Sequence, residues 1–200
     1  CLALFGIWRL CPQRGRPLFA ISLILLLMAF NLIAIIQGLY PAYYDSMLPT
    51  ALQPRYTEPV GEIYSQVTYG QTFVAQHPNL SRIDIMLATY GRENHFPLVF
   101  HLQRGLPNEH NSDSVTLRVQ PSDIADDKFY AFEFPPISDS QGQTFYFYLA
   151  SPRAMPGDAF TAGAAKDNTY PEGFLVVNGQ PAQGDLCFVA YSAPPRLMNK

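Results

Sequence analysis

Two hundred residues, 48% hydrophobic and 14% charged, leave room for one sizeable domain and an appendage. Residues 18–39 carry no charge; three arginines precede them, while the other ten basic and all 16 acidic residues follow, giving residues 41–200 a formal −6. An acidic domain cannot neutralise phosphates, which excludes nucleic acid as a partner, and Phe and Tyr at strand-like spacing exclude disorder.

The chain opens with a basic segment, residues 1–16, containing Arg9, Arg14 and Arg16. The uncharged run Leu18–Leu39 is 22 residues long, and such a helix matches a hydrocarbon layer of roughly 30 Å. Residues 17–40 are therefore predicted to form a transmembrane helix anchored in the lipid bilayer. Pro17 fits its first turn, where a missing N–H costs nothing, and Tyr40, Tyr43 and Tyr44 follow as interfacial rings. Gln37-Gly38-Leu39-Tyr40-Pro41 offers no small-residue cleavage point of the kind a signal peptide needs. Asn31 reads as a tolerated amide or as an inter-helix hydrogen-bonding group. The positive-inside rule puts residues 1–16 in the cytoplasm and residues 41–200 on the periplasmic or extracellular side of a plasma (inner) membrane. Cys1 reads as the start of an excised piece or as a lipid-modified cysteine, although lipidation would put the arginines on the wrong side. Cys187 stands alone in the outer domain, so that domain folds on its core rather than on a disulfide.

Residues 41–60, with Pro41, Pro49, Pro54 and Pro59, read as a stiff stalk. Short alternating runs then follow at Ile63–Val67, Gln71–Ala75, Arg82–Thr89, Leu98–Gln103, Ser114–Val119, Phe129–Phe134, Thr144–Ala150, Phe160–Ala164, Phe174–Val177 and Leu186–Tyr191. In Arg82-Ile83-Asp84-Ile85-Met86-Leu87 the apolar residues share one face of a strand. Turn chemistry separates the runs, as in Pro107-Asn108-Glu109, Asp139-Ser140-Gln141-Gly142 and Asn178-Gly179. Many short strands without a long amphipathic helix predict a mainly β fold, an antiparallel jelly-roll-like sandwich over residues 61–193 with a tail at 194–200.

Several strings resemble a known kind of domain: Tyr69-Gly70-Gln71-Thr72-Phe73-Val74-Ala75 before Leu80-Ser81-Arg82-Ile83-Asp84; Pro136-Ile137-Ser138-Asp139-Ser140-Gln141-Gly142-Gln143-Thr144-Phe145; Tyr170-Pro171-Glu172-Gly173; and Gly184-Asp185-Leu186-Cys187-Phe188. They look like bacterial exoplasmic β-sandwich domains of uncharacterised function, which resemble carbohydrate-binding sandwiches and occur between helices of polytopic, glycosyltransferase-like membrane proteins. The resemblance spans roughly residues 60–191. It implies a fold and a setting, and it carries over no catalytic residue.

The chemistry-bearing residues point away from catalysis. His77, His95, His101 and His110 form no zinc-ligand spacing, and no nucleophile elbow is present. Ser140 reads as a turn former, His101 as a solvated strand residue, and Asp123, Asp126 and Asp127 as a solvated turn rather than a calcium loop. No cofactor is expected. Two binding candidates stand out. Phe145, Phe147 and Leu149 suit a core, which turns Tyr146 and Tyr148 to the opposite face, where rings can stack on a sugar or a protein. The loop residues Tyr90, Arg92, Glu93, Asn94 and His95, with Asp167, Asn168 and Tyr170, form a second polar and aromatic group. The expected function is a membrane-anchored, non-catalytic exoplasmic sandwich that binds or assembles with other membrane-protein subunits or helices. The alternatives are an accessory domain of a polytopic glycosyltransferase-like enzyme, with glycan as a candidate contact, and a free-standing sugar-binding module.

Overall fold

The computed structural model describes residues 24–29, 32, 47–107, 109 and 112–194. The chain divides into two units, residues 1–46 and 47–200. In the first, residues 24–29 and 32 are helical with exposed side chains. The rest of the expected span 17–40 lies outside the described residues, as do residues 1–16, 41–46 and 195–200. No helix among the described residues is long and apolar enough to cross a membrane.

The second unit is built from β1 (Leu48–Gln53), β2 (Glu58–Pro59), β3 (Tyr69–Val74), β4 (Leu80–Ala88), β5 (Leu98–Arg104), β6 (Val115–Val119), β7 (Lys128–Ile137), β8 (Thr144–Ala150), β9 (Thr161–Ala165), β10 (Leu175–Val177), β11 (Gln180–Ala182), β12 (Asp185–Leu186) and β13 (Phe188–Ser192). Antiparallel pairs nest inside one another along the chain: β1 with β13, β3 with β8, β4 with β7, and β5 with β6. Wrapped into two layers, they give one sheet in the order β1-β13-β4-β7 and a second in the order β3-β8-β5-β6. This is the strand order of a jelly roll. Strands β2, β9 and β12 extend the first sheet, and β10 and β11 extend the second.

Period-2 alternation turns one side of each long strand inward. Ile83, Ile85 and Leu87 of β4, Leu98, Phe100 and Leu102 of β5, and Phe145, Phe147 and Leu149 of β8 are fully buried between the layers. The middle of this core is aromatic. Phe147 packs against Phe73, Phe100 and Phe188 with ring centroids 6.1, 6.0 and 5.6 Å away, and Phe100 stacks on Phe132 at 4.4 Å.

Three expectations need correction. Residues 48–53 and 58–59 are sandwich strands rather than stalk, so the folded unit begins near Met47 instead of residue 61. Proline hides β1 from a pattern reading. Pro49 sits at an irregular register on a sheet edge, where a missing donor is tolerated, while Thr50, Ala51 and Gln53 turn inward. Ile63–Val67 is not a strand: Ser65 and Gln66 form a turn, leaving only the isolated bridges Ile63–Phe160 and Tyr64–Val67. Leu186–Tyr191 is interrupted at Cys187, where the chain leaves β9 and joins β4. Burial there pushes the Cys187 thiol up to about 11.

Ser140 is a turn residue with a structural task. Its buried Oγ accepts from the Leu80 N–H at 3.1 Å and donates to the His77 carbonyl at 2.9 Å, stapling the β7–β8 turn to the β3–β4 turn.

Candidate functional site

The tyrosine stripe lies on the outer face of the second sheet, as the alternation of β8 requires, but it is covered. Tyr146 is 4% exposed and Tyr148 is half-buried. Their rings stack 5.5 Å apart, and Tyr148 lies flat on His101 at 4.4 Å. Leu106, Pro107 and Glu109, which follow β5, share a small cavity with Phe174 and Pro181 at the β10–β11 margin. His101 is half-buried rather than solvated, with Nδ1 2.6 Å from Asp113 Oδ2. Burial raises the pKa of Tyr146 and of Tyr148. Tyr146→Ser is therefore expected to destabilise the sandwich by about 3 kcal/mol through the void it leaves, and Tyr148→Ser by roughly 1 kcal/mol. Urea unfolding of the two variants measures this, and equal small losses would restore the open-face reading.

Tyr170 also belongs to the interior. Its ring meets Phe188 edge-on at 5.5 Å and its hydroxyl accepts from the Val74 N–H at 3.3 Å. Burial pushes its pKa up to about 12. It does not join the residues around Arg92.

Those residues do converge. The loop after β4 (residues 89–97), the β6–β7 connection with its short 3-10 turn Pro121–Asp123, and the end of the loop after β8 enclose a cleft of about 550 Å³. Its walls include Arg92, Asn94, Gln120, Ser122 and Asp126, over an apolar part formed by Pro121, Ile124 and Phe160. Ligand pockets commonly run from about 300 to 1,000 Å³ and combine an apolar lining with a few polar groups. The cleft opens at the Ala88 end of β4; β1 begins and β13 ends at the other, where Leu48 and Leu80 flank Ser192. A nine-residue strand separates the two ends by roughly 30 Å.

Cross-links between loops hold the cleft open. The Arg92 guanidinium bonds to the Glu62 carboxylate and, at 3.1 Å, to the Ala159 carbonyl, and it also lies 4.9 Å from the Tyr90 ring. Glu62 further accepts from the Gly157 N–H at 3.1 Å. The hydrogen bond from Arg92 holds the Glu62 carboxyl below its ordinary range. The Asp126 carboxylate accepts from the Thr89 N–H at 2.5 Å and draws further on the Tyr90 and Gly91 N–H groups; the Thr89 contact is the chief cause of its lowered pKa. That acceptor organises a costly turn, since Tyr90 (φ 60°) and Gly91 (φ 66°) are both left-handed and a bulky residue seldom adopts that region. His95 is held by Asp158 through its backbone N–H at 2.8 Å and its ring at 3.1 Å. Tyr90 itself is 44% exposed beside the cleft.

Asn94 is the exception in this otherwise satisfied set. It is 6% exposed, its Oδ1 accepts only a long 3.4 Å bond from Arg92 Nε, and its Nδ2 has no acceptor. A buried donor left unmade costs about 1–3 kcal/mol. Such a group on the wall of a cleft has hydrogen-bonding capacity that the fold leaves unused. Arg92, Asn94 and the neighbouring Tyr90 were foreseeable from the loop sequence. Glu62, Gln120, Ser122 and Phe160 were not, because they come from segments 26 or more residues away.

No family model matches the chain, and no curated protein matches it. Among solved structures, the Yersinia pseudotuberculosis-derived mitogen aligns at 11% identity and a TM-score of 0.30, covering 61% of this chain and 96% of its own. A CocE/NonD family hydrolase from Staphylococcus aureus aligns at 10% identity and a TM-score of 0.35, covering 77% of this chain and 37% of its own. Desmodium yellow mottle tymovirus gives 13% identity and a TM-score of 0.25, with 78% of this chain and 98% of its own covered. Likenesses this distant reach neither a family nor a function.

Proposed function

We infer that the chain is a membrane-anchored, non-catalytic β-sandwich that works by binding on the exoplasmic side, through the Arg92–Asn94 cleft rather than the Tyr146–Tyr148 face. The observation that carries this reading is the buried, unpartnered Asn94 amide on the wall of an otherwise satisfied cleft. The anchoring part rests on the uncharged run 18–39 and on the arginines that precede it. The full chain is expected to sediment with membranes and resist alkaline carbonate, whereas a variant lacking residues 18–39 is released. A membrane-impermeant thiol reagent should reach a cysteine placed at Ser112 from outside the cell and leave Cys11 unlabelled. Carbonate extraction of the full chain, or the reverse labelling pattern, would overturn the anchor or its orientation.

A second reading, an accessory domain within a polytopic glycosyltransferase-like protein, is favoured by one feature. Leu48 at the start of β1 pairs with Ser192 at the end of β13, so both ends of the sandwich emerge together, as a domain inserted between two membrane segments requires.

A further inference from the structure

We propose that the Arg92–Asn94 cleft takes an uncharged pyranose, presented as the end of a neutral glycan. This deepens the binding reading given above and rests on it.

The charge balance selects against an anion. Arg92 is the cationic side chain of the cleft wall, and its charge is answered by Glu62 at its back. Asp126 and Glu93 add negative charge to the same wall, and the pKa of Asp126 is lowered by backbone N–H donors. A phosphate or carboxylate would therefore enter a wall of net negative formal charge, with its one guanidinium already paired. A cationic ligand would have Glu93 alone to pair with, because Asp126 is spent on the Thr89 turn and Glu62 on Arg92 and Gly157.

What remains is neutral and mixed. Asn94 offers an amide that can donate and accept and Gln120 another, while the Ser122 hydroxyl, which donates to Asp123 at 3.2 Å, can still accept; Pro121 and Ile124 supply an apolar patch beside them. A sugar ring presents this same mixture, with hydroxyls that donate and accept at once and a C–H face that needs apolar cover. Asparagine χ2 is broad. A small turn therefore brings the buried Nδ2 to a hydroxyl, and it gives up only the 3.4 Å bond from Arg92. The cleft volume of about 550 Å³ suits one ring with part of a second and is too small for a folded partner. Tyr90, held beside the cleft by its left-handed turn and by Arg92, offers a ring at the rim where a second sugar would lie.

The test uses the full chain, 15N-labelled, in lipid nanodiscs free of glycoside detergent. Methyl pyranosides of glucose, galactose, mannose and N-acetylglucosamine are titrated in separate samples, with inorganic phosphate as the anionic probe. At least one glycoside is expected to move the Asn94 side-chain amide signals, together with backbone signals of residues 89–95 and 120–126, saturably and with a dissociation constant on the order of 1 mM. Asn94→Leu should weaken that binding roughly tenfold or more, and Tyr148→Ser should leave it unchanged. Gln120→Ala, at an exposed position, should weaken binding severalfold and serves if Asn94→Leu fails to fold.

Shifts from phosphate alone would overturn the ligand class and keep the cleft as a binding site. Glycoside shifts confined to residues around Tyr148, or no shift from any of the glycosides, would overturn the proposal outright. A through-hydrogen-bond coupling from the free protein's Asn94 side-chain amide to a protein carbonyl would sink the binding reading itself, since the amide would then be satisfied by the fold.

Discussion

Asp185→Ala is expected to destabilise the sandwich by about 3–5 kcal/mol, enough to leave a domain of ordinary stability barely folded. Asp185 is fully buried, and its carboxylate accepts from Gln71 Nε2 at 2.9 Å, the Thr169 N–H at 2.6 Å and the Tyr170 N–H at 2.9 Å. Alanine strands the buried Tyr170 N–H, takes the acceptor from the half-buried Thr169 N–H and leaves Gln71 Nε2 only its 3.3 Å bond to the Thr72 carbonyl, and each stranded donor costs roughly 1–3 kcal/mol. Gln71 belongs to β3 of the second sheet and Asp185 to β12 of the first, so the loss falls on the joint between the layers. Gln71 also ties the layers through its Oε1, which accepts from the Leu186 N–H at 2.9 Å. Asp185→Asn keeps one acceptor oxygen and should fall between alanine and the parent. Urea unfolding followed by near-ultraviolet circular dichroism measures the series. An alanine variant within 1 kcal/mol of the parent would show that water replaces the carboxylate, as happens at exposed turns.

Phe147→Ala is expected to cost a similar 3–5 kcal/mol by a different mechanism. Its ring is fully buried and lies against Phe73, Phe100 and Phe188, which come from β3, β5 and β13. Those neighbours are fixed by their own strands and cannot collapse into the gap, so the lost transfer energy and the cavity add. Phe147→Leu keeps much of the volume and should recover at least half of the loss. A Phe147→Ala variant that melts within a few degrees of the parent would mean that the two layers can close over the void.

The strands that were legible in the sequence are those where alternation is undisturbed. Thr144–Ala150 is read from its residues with the bounds it has in the fold, because Phe145, Phe147 and Leu149 alternate with Tyr146 and Tyr148 and turn residues stand before it. Strand β1 was not legible. Pro49 lies within it and Pro54 follows it, proline argues for a stalk, and only the pairing with β13 shows that the first of them sits on an edge.

The candidate site divides along the same line. That Tyr146 and Tyr148 share an outer face follows from period 2; that Tyr146 is nevertheless buried there, and that Asp113 reaches His101 beside Tyr148, depends on where other segments travel, which no local pattern encodes. The loop Tyr90–His95 announced itself by its mixture of aromatic, charged and amide side chains. Its partners Glu62, Gln120 and Phe160 carried no signal, since each is ordinary in its own neighbourhood and acquires meaning only when the roll brings it to Arg92 and Asn94. Asp185 is the clearest case of concealment. Beside Gly184 it looks like one more turn acid, yet it is the buried acceptor that joins the layers.

The pairing of the first strand with the last also fixes how this domain would answer a mechanical load. Leu48 lies opposite Ser192, and successive pairs run inward to Gln53 opposite Phe188. A pull applied at both chain ends therefore acts at one extremity of the β1–β13 ribbon and opens its hydrogen bonds one after another, as a zipper opens, rather than shearing the whole row at once. Such a domain yields to small forces from its edge inward. The Arg92–Asn94 cleft lies at the far extremity, where the first pairs to part leave its walls intact.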